Sequence, residues 1–191
     1  MFTRLIDRID CCPWGAAVGR PVPLDRAPAY FQPLYTAEER RRRDASGWTI
    51  VQGVLAPVQF TIFVVSLGLV LHYLATGNGL ATATASIVVK TLALYAIMVT
   101  GSIWEQKVFG QYLFARAFFW EDVFSILVLA LHTAYLVALW TGWLDARELM
   151  LLALTAYASY VVNAAQFVLK LRAARRETAP WPAQAVGALS P

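Results

Sequence analysis

Between Thr49 and Ile103 the chain carries one charged side chain, Lys90, and between Val123 and Leu144, and again between Leu149 and Leu169, it carries none. A run of about 20 apolar residues crosses the hydrocarbon of a bilayer as a helix. The chain is therefore read as an integral membrane protein of helices. Composition closes the alternatives: of 191 residues 59% are hydrophobic and 15% charged, against about 25% charged in an average soluble domain. A single small domain buries only about two-thirds of its chain surface, so so much apolar surface excludes a soluble globular protein. It equally excludes disorder as the overall state.

Four spans are predicted. The first runs from about Trp48 to Leu74 with a kink at Pro57, and Thr76-Gly77-Asn78-Gly79 turns the chain. The second covers roughly Leu80 to Trp104, and the link Glu105 to Ala117 leads to a third from about Phe118 to Trp140. Thr141-Gly142 and Asp145-Ala146-Arg147 precede the fourth, Glu148 to Leu171. The fold class is therefore an all-α integral membrane protein, a four-transmembrane-helix bundle over residues 36–176. Residues 1–35 read as an extension, an interfacial helix (Phe2, Leu5, Ile6, Ile9) followed by a proline-rich segment, and 177–191 as a disordered tail.

Arg40 to Arg43 precede the first span, Lys107 and Arg116 lie between the second and third, and Lys170, Arg172, Arg175 and Arg176 follow the fourth, whereas the other side has only Arg147. Basic residues mark the cytoplasmic side, so both termini are expected there. The net charge of +4 is thus a topology signal, not a nucleic-acid surface. Cys11 and Cys12 are adjacent, and His72 and His132 are sixty residues apart, which does not suit a metal cluster.

Ionisable groups at membrane depth are costly and mark function or a structural pair. Lys90 and His132 fall at similar depth on neighbouring spans. On the third span Glu121, Ser125, Val128 and His132 share one face, with Asp122 about 100° around. Ser86, Lys90, Ile97, Gly101 and Trp104 share a face on the second span, with Glu105 at its edge. Gln52, Gln59 and Ser66 form a stripe on the first span, and Thr155, Ser159, Asn163, Gln166 and Lys170 on the fourth. Turned inward, the stripes make a polar interior opening towards Glu105, Glu121 and Asp122. The bland account is that such stripes hydrogen-bond helix to helix, that Lys90 is half of an ion pair, and that the tryptophans at span ends form an interfacial belt. From the residues alone the chain is a four-helix membrane protein with a titratable interior, and no reaction is named.

Longer strings carry a resemblance. RRDASGWTIVQGVLAP (Arg42–Pro57), ATASIVVKTLALY (Ala83–Tyr95), MVTGSIWE (Met98–Glu105), FFWEDVF (Phe118–Phe124), LHTAY (Leu131–Tyr135) and YVVNAAQF (Tyr160–Phe167) resemble the 3-vinyl (bacterio)chlorophyllide hydratase family over residues 34–176. The resemblance implies a bacterial enzyme of bacteriochlorophyll synthesis in the inner or photosynthetic membrane. It would add water to the C3-vinyl group of a chlorophyllide-type magnesium pigment, giving a 3-(1-hydroxyethyl) group, with other enzymes of the pathway as possible neighbours.

Such a hydration needs a proton on the terminal vinyl carbon, water on the carbon next to the ring, and no redox cofactor. A carboxyl shielded from water keeps its proton more readily, which suits a general acid, and Glu121 fits by position and face. His132 is expected to orient water, act as base or ligate the pigment's magnesium. Lys90 and Arg116 are candidates for the pigment carboxylate and Trp104 and Trp120 for its ring. Glu105 and Asp122 also line the substrate side, next in order as the acid. The rival reading is a non-catalytic pigment-binding or assembly subunit with His132 as ligand. A transporter is third, since no inverted repeat is visible.

Overall fold

The computed structural model describes residues 34–177, with side chains to Arg172. The interfacial helix and proline-rich segment expected before residue 34, with Cys11 and Cys12, and the tail after 177 lie outside the described residues. Among these, all regular structure is helical: α1 Ala37–Ala45, α2 Gly47–Thr76, α3 Leu80–Phe109, α4 Phe119–Thr141 and α5 Ala146–Glu177. The last four are long and apolar enough to cross a membrane. They correspond to the four predicted spans, each lengthened at one or both ends.

Helix α1 was not anticipated. Thr36 caps it reciprocally: the Glu39 N–H donates to Thr36 Oγ1 at 3.2 Å, and the Thr36 N–H donates to the Glu39 carboxylate at 2.7 Å. A cap of this kind stabilises a helix by about 1 kcal/mol. Glu38 pairs with Arg41 and Arg42 one turn on, and the Arg41 guanidinium holds its carboxyl below the usual range. The basic run Arg40–Arg43 is thereby helical.

Helix α2 continues through Pro57 and stops at Gly77, whose φ of 74° is left-handed and favours glycine. Helix α4 ends in the same way at Gly142, φ 65°. The α4–α5 turn is closed by Asp145 and Glu148, each accepting the other's backbone N–H at 2.8 to 2.9 Å.

Residues 35–165 form one compact unit. Helix α2 lies along α3, joined by Gln52 Nε2 to Thr100 Oγ1 at 2.7 Å, Trp104 Nε1 to Thr49 Oγ1 at 3.0 Å and Ser66 to Ser86 at 2.7 Å. Tyr95 and Thr133 join α3 to α4 at 2.7 Å. Helix α5 is held to α2 by the Ser66–Tyr157 hydroxyl pair at 2.6 Å and by Phe63 against the rings of Tyr157 and Tyr160. Phe63, Val70, Ile87, Leu94, Val128, Tyr135, Met150 and Tyr157 make up the interior. Val54, Val64, Leu71, Leu92, Val99, Leu127 and Val137 face outward, where an apolar side chain is at ease only in lipid. The last turns of α5, residues 166–177, belong to a second unit and carry Gln166, Lys170 and Arg172.

One expected face is corrected. Thr155 of the fourth stripe is exposed and bonds back to the Leu151 carbonyl at 3.0 Å. Asn163 and Gln166 of that stripe are buried, and beside them the buried side of α5 is Ala156, Tyr157 and Tyr160. A helical wheel fixes relative phase only, and the larger aromatic stripe claims the core.

Candidate functional site

The buried ionisable candidates of the compact unit fall into two centres, with uncharged polar side chains such as Ser125 and Asn163 between and around them. The first lies at the end of the bundle where residues 110–118 link α3 to α4. Glu105, from the last turns of α3, and Glu121 and Asp122, from the first turn of α4, are 5%, 5% and 4% exposed. The Glu105 carboxyl lies within interaction distance of the Asp122 carboxyl, with that of Glu121 close by.

The linking loop folds onto this pair. The Phe114 N–H donates to Asp122 Oδ2 at 2.6 Å and the Ala115 N–H to Glu105 Oε2 at 3.4 Å. Phe114 has a φ of 60°, a left-handed backbone that a phenylalanine adopts only under constraint. The Asp122 bond supplies part of that constraint. The 100° offset of Asp122 from Glu121 thus turns it towards α3 and the loop.

An aromatic wall borders this centre. Tyr35 stacks on Phe109 at 5.7 Å, and Trp104 meets Phe109 and Phe118 edge-on at 5.8 and 5.6 Å. Arg43 sits over the Tyr35 ring at 4.8 Å. Burial pushes the Tyr35 hydroxyl up to about 12, with Arg43 acting the other way. Tyr35 closes the segment read as an extension, yet it is 3% exposed and part of the wall. Trp120 packs edge-on against Phe119 at 5.7 Å. Arg116 is exposed.

The second centre lies deeper. Lys90 and His132 are both 0% exposed and within electrostatic reach of each other. Lys90 Nζ stands 3.7 Å from the centroid of the Tyr160 ring, a cation–π contact. It has no hydrogen-bond partner among the described residues. The His132 Nδ1 atom lies 2.8 Å from the Val128 carbonyl. A carbonyl only accepts, so Nδ1 carries a proton, and in the neutral form of the ring Nε2 presents a lone pair. That atom has no hydrogen-bond partner among the described residues. The His132 ring lies 5.8 Å from that of Tyr157.

Between the centres the buried side chains are uncharged: Leu94 and Val128 are apolar, and Thr91, Ser125 and Asn163 are polar without charge. Glu121 and His132 are eleven residues apart, about 16 Å along the axis, and do not meet. Lys90 and Arg116 are likewise at different levels: Ala115 contacts Glu105, which is fifteen residues, about 22 Å, from Lys90 on α3. The structure therefore brings Glu105, Glu121, Asp122 and Trp104 together at one end and Lys90 with His132 in the middle. Among the described residues no group of three His, Cys, Asp or Glu side chains is arranged to hold a metal ion. A groove of about 660 Å³ between α4 and α5, lined by Leu129, Ala130, Val137, Trp143 and Leu152, contains none of the candidate residues.

The relatives of the chain give this arrangement its chemical context. The profile of the 2-vinyl bacteriochlorophyllide hydratase family matches residues 35–173, which contain both centres and the aromatic wall. The chain belongs to the 2-vinyl bacteriochlorophyllide hydratase family. A member from Cereibacter sphaeroides, named 2-vinyl bacteriochlorophyllide hydratase, is 68% identical over 142 residues, covering 74% of this chain and 88% of its own length. One of the same name from Rhodobacter capsulatus is 64% identical over 146 residues, covering 76% of this chain and 85% of its own. No solved structure matches the chain. The first residue of the family match, Tyr35, is also the first residue of the compact unit.

Proposed function

We propose that this chain hydrates the C3-vinyl group of a chlorophyllide or bacteriochlorophyllide, giving the 3-(1-hydroxyethyl) pigment. Family membership supports the reaction, and the buried carboxyl centre beside an aromatic wall supports where it happens. Hydration of a vinyl group begins with protonation of its terminal carbon. The macrocycle delocalises the resulting charge on the adjacent carbon, water adds there, and the water's proton returns to the base. The protein has to supply an acid and a held water in surroundings poor in bulk solvent. Glu121 is the acid in this proposal, with Glu105 and Asp122 as buried neighbours. Trp104 and Trp120 offer ring faces for the pigment, and Arg116 an exposed cation for its carboxylate. His132 Nε2 is a ligand suited to the pigment's magnesium, and Lys90 its cationic neighbour.

In the same proposal the bundle sits in the bacterial inner or photosynthetic membrane with both termini cytoplasmic, as the arginine asymmetry supports. The carboxyl centre then faces the compartment from which a carboxylate-bearing pigment arrives. The decisive experiment incubates membranes containing the protein with chlorophyllide. Appearance of the more polar hydroxyethyl product is expected. Tight binding with unchanged pigment would instead make the protein a carrier, the reading that the free His132 nitrogen would then carry.

A further inference from the structure

Glu121 supplies only half of a hydration, because something must hold the water that attacks. One turn along the buried face of α4 from Glu121, about 6 Å by the helical rise, is Ser125, 4% exposed. Asn163 of α5, 7% exposed, donates from Nδ2 to Ser125 Oγ at 2.9 Å. That bond accounts for the amide nitrogen and for one lone pair of the hydroxyl. It leaves Asn163 Oδ1 with no hydrogen-bond partner among the described residues, and it leaves the Ser125 O–H proton to be donated elsewhere.

A helix-to-helix tie would explain the 2.9 Å bond alone. It does not explain a buried amide oxygen held without a donor, which is costly in a low-dielectric interior. The free groups are complementary: one donor hydrogen on Ser125 and one acceptor on Asn163, next to each other. Water is the small molecule that accepts from one and donates to the other at once.

We propose that Ser125 and Asn163 are the positioning residues for the attacking water, an inference that rests on the hydratase reading above. Water accepts a hydrogen bond from Ser125 Oγ and donates one to Asn163 Oδ1. Its second lone pair then points at the vinyl carbon next to the ring. Glu121 transfers its proton to the terminal CH2, which becomes CH3, and the C=C π pair forms the new C–H bond. The water oxygen closes the C–O bond on the cation, and its remaining proton passes to the Glu121 carboxylate, restoring the acid. One vinyl group and one water give one 1-hydroxyethyl group, with no other reactant. Because the water is held on one side, it adds to one face of the planar carbon, and the alcohol forms with a single configuration.

The test reads that configuration. Full-length Ser125→Ala, Ser125→Thr and Asn163→Leu are produced in membranes and given chlorophyllide, and the hydroxyethyl product is resolved by chiral chromatography. Wild type is expected to give one epimer at the new carbinol carbon. Ser125→Ala and Asn163→Leu should lower kcat about 10-fold or more with KM for pigment unchanged, and should bring the two product configurations towards equal amounts. Ser125→Thr keeps the hydroxyl and should keep the single configuration. Unchanged configuration in both Ser125→Ala and Asn163→Leu, whatever their rate, would reduce the pair to a helix tie. A mixed product from wild type would equally overturn the proposal. If Asn163→Leu does not accumulate, the smaller change Ser125→Ala decides alone. Absence of any hydroxyethyl product from wild type would sink the hydratase reading itself, whereas an active wild type with unaltered stereochemistry in the variants sinks only the water site.

Discussion

At the scale of single residues the proposed acid, Glu121, carries the clearest expectation. Glu121→Gln keeps size and hydrogen bonding but has no proton to transfer, so turnover per folded protein should fall at least ~100-fold, the low end for general acid–base catalysis. Near-normal turnover would move the role to Glu105 or Asp122, the other buried carboxyls of that centre. His132→Ala should weaken pigment binding, measured by spectral titration, if Nε2 is a magnesium ligand. A loss of turnover with unchanged binding would assign the ring to chemistry. Glu121, His132 and Lys90 were legible in the sequence because each is an ionisable group in an otherwise apolar helix. Tyr35, Tyr157 and Tyr160 were not. Tyrosine suits a membrane interface, a core or a site equally well, and only packing distinguishes them. Nor could the sequence show that Lys90 and Arg116 lie too far apart along the bundle to grip one carboxylate.

At the scale of elements, apolar length and the glycine turns at Gly77 and Gly142 announce the four long helices. Helix α1 was announced too, by the Thr36–Glu39 capping box, but a run of arginines reads as a topology flank first. Phase was harder. A helix whose stripes of hydroxyl and aromatic residues lie side by side can present either one inward. On α5 the bulky Tyr157 and Tyr160 win over Thr155 because they fill more of the space between helices. The Ser66–Tyr157 hydroxyl pair that fixes this facing is buried. Tyr157→Phe removes the phenol but leaves Ser66 its Ser86 partner, so thermal unfolding in detergent should show a loss of about 1 kcal/mol. A much larger loss would mean that the hydroxyl chain acts cooperatively across α2, α3 and α5.

At the scale of the whole molecule, the arginine asymmetry predicts that the Thr76–Leu80 turn lies outside the cytoplasm. Asn78→Cys, in a chain whose Cys11 and Cys12 are changed to serine, should react with an impermeant thiol reagent from the outer side of intact cells. Reaction only from the cytoplasmic side would invert the topology. The layer formed by Leu94 and Val128 also bears on the membrane as a whole. Titratable groups strung along a bundle are the raw material of proton relays, and an enzyme that keeps acids at one end and a lysine–histidine pair in the middle is halfway to a leak. Between them the buried side chains, Leu94 and Val128 with Thr91, Ser125 and Asn163, carry no charge, so on the proposed reading acid chemistry at one end need not dissipate a proton gradient across the membrane. Val128→Ser in reconstituted vesicles should hasten the collapse of an imposed pH gradient, while wild type leaks no faster than lipid alone. On this view, what keeps the catalyst compatible with the membrane that houses it is a thin piece of electrical insulation.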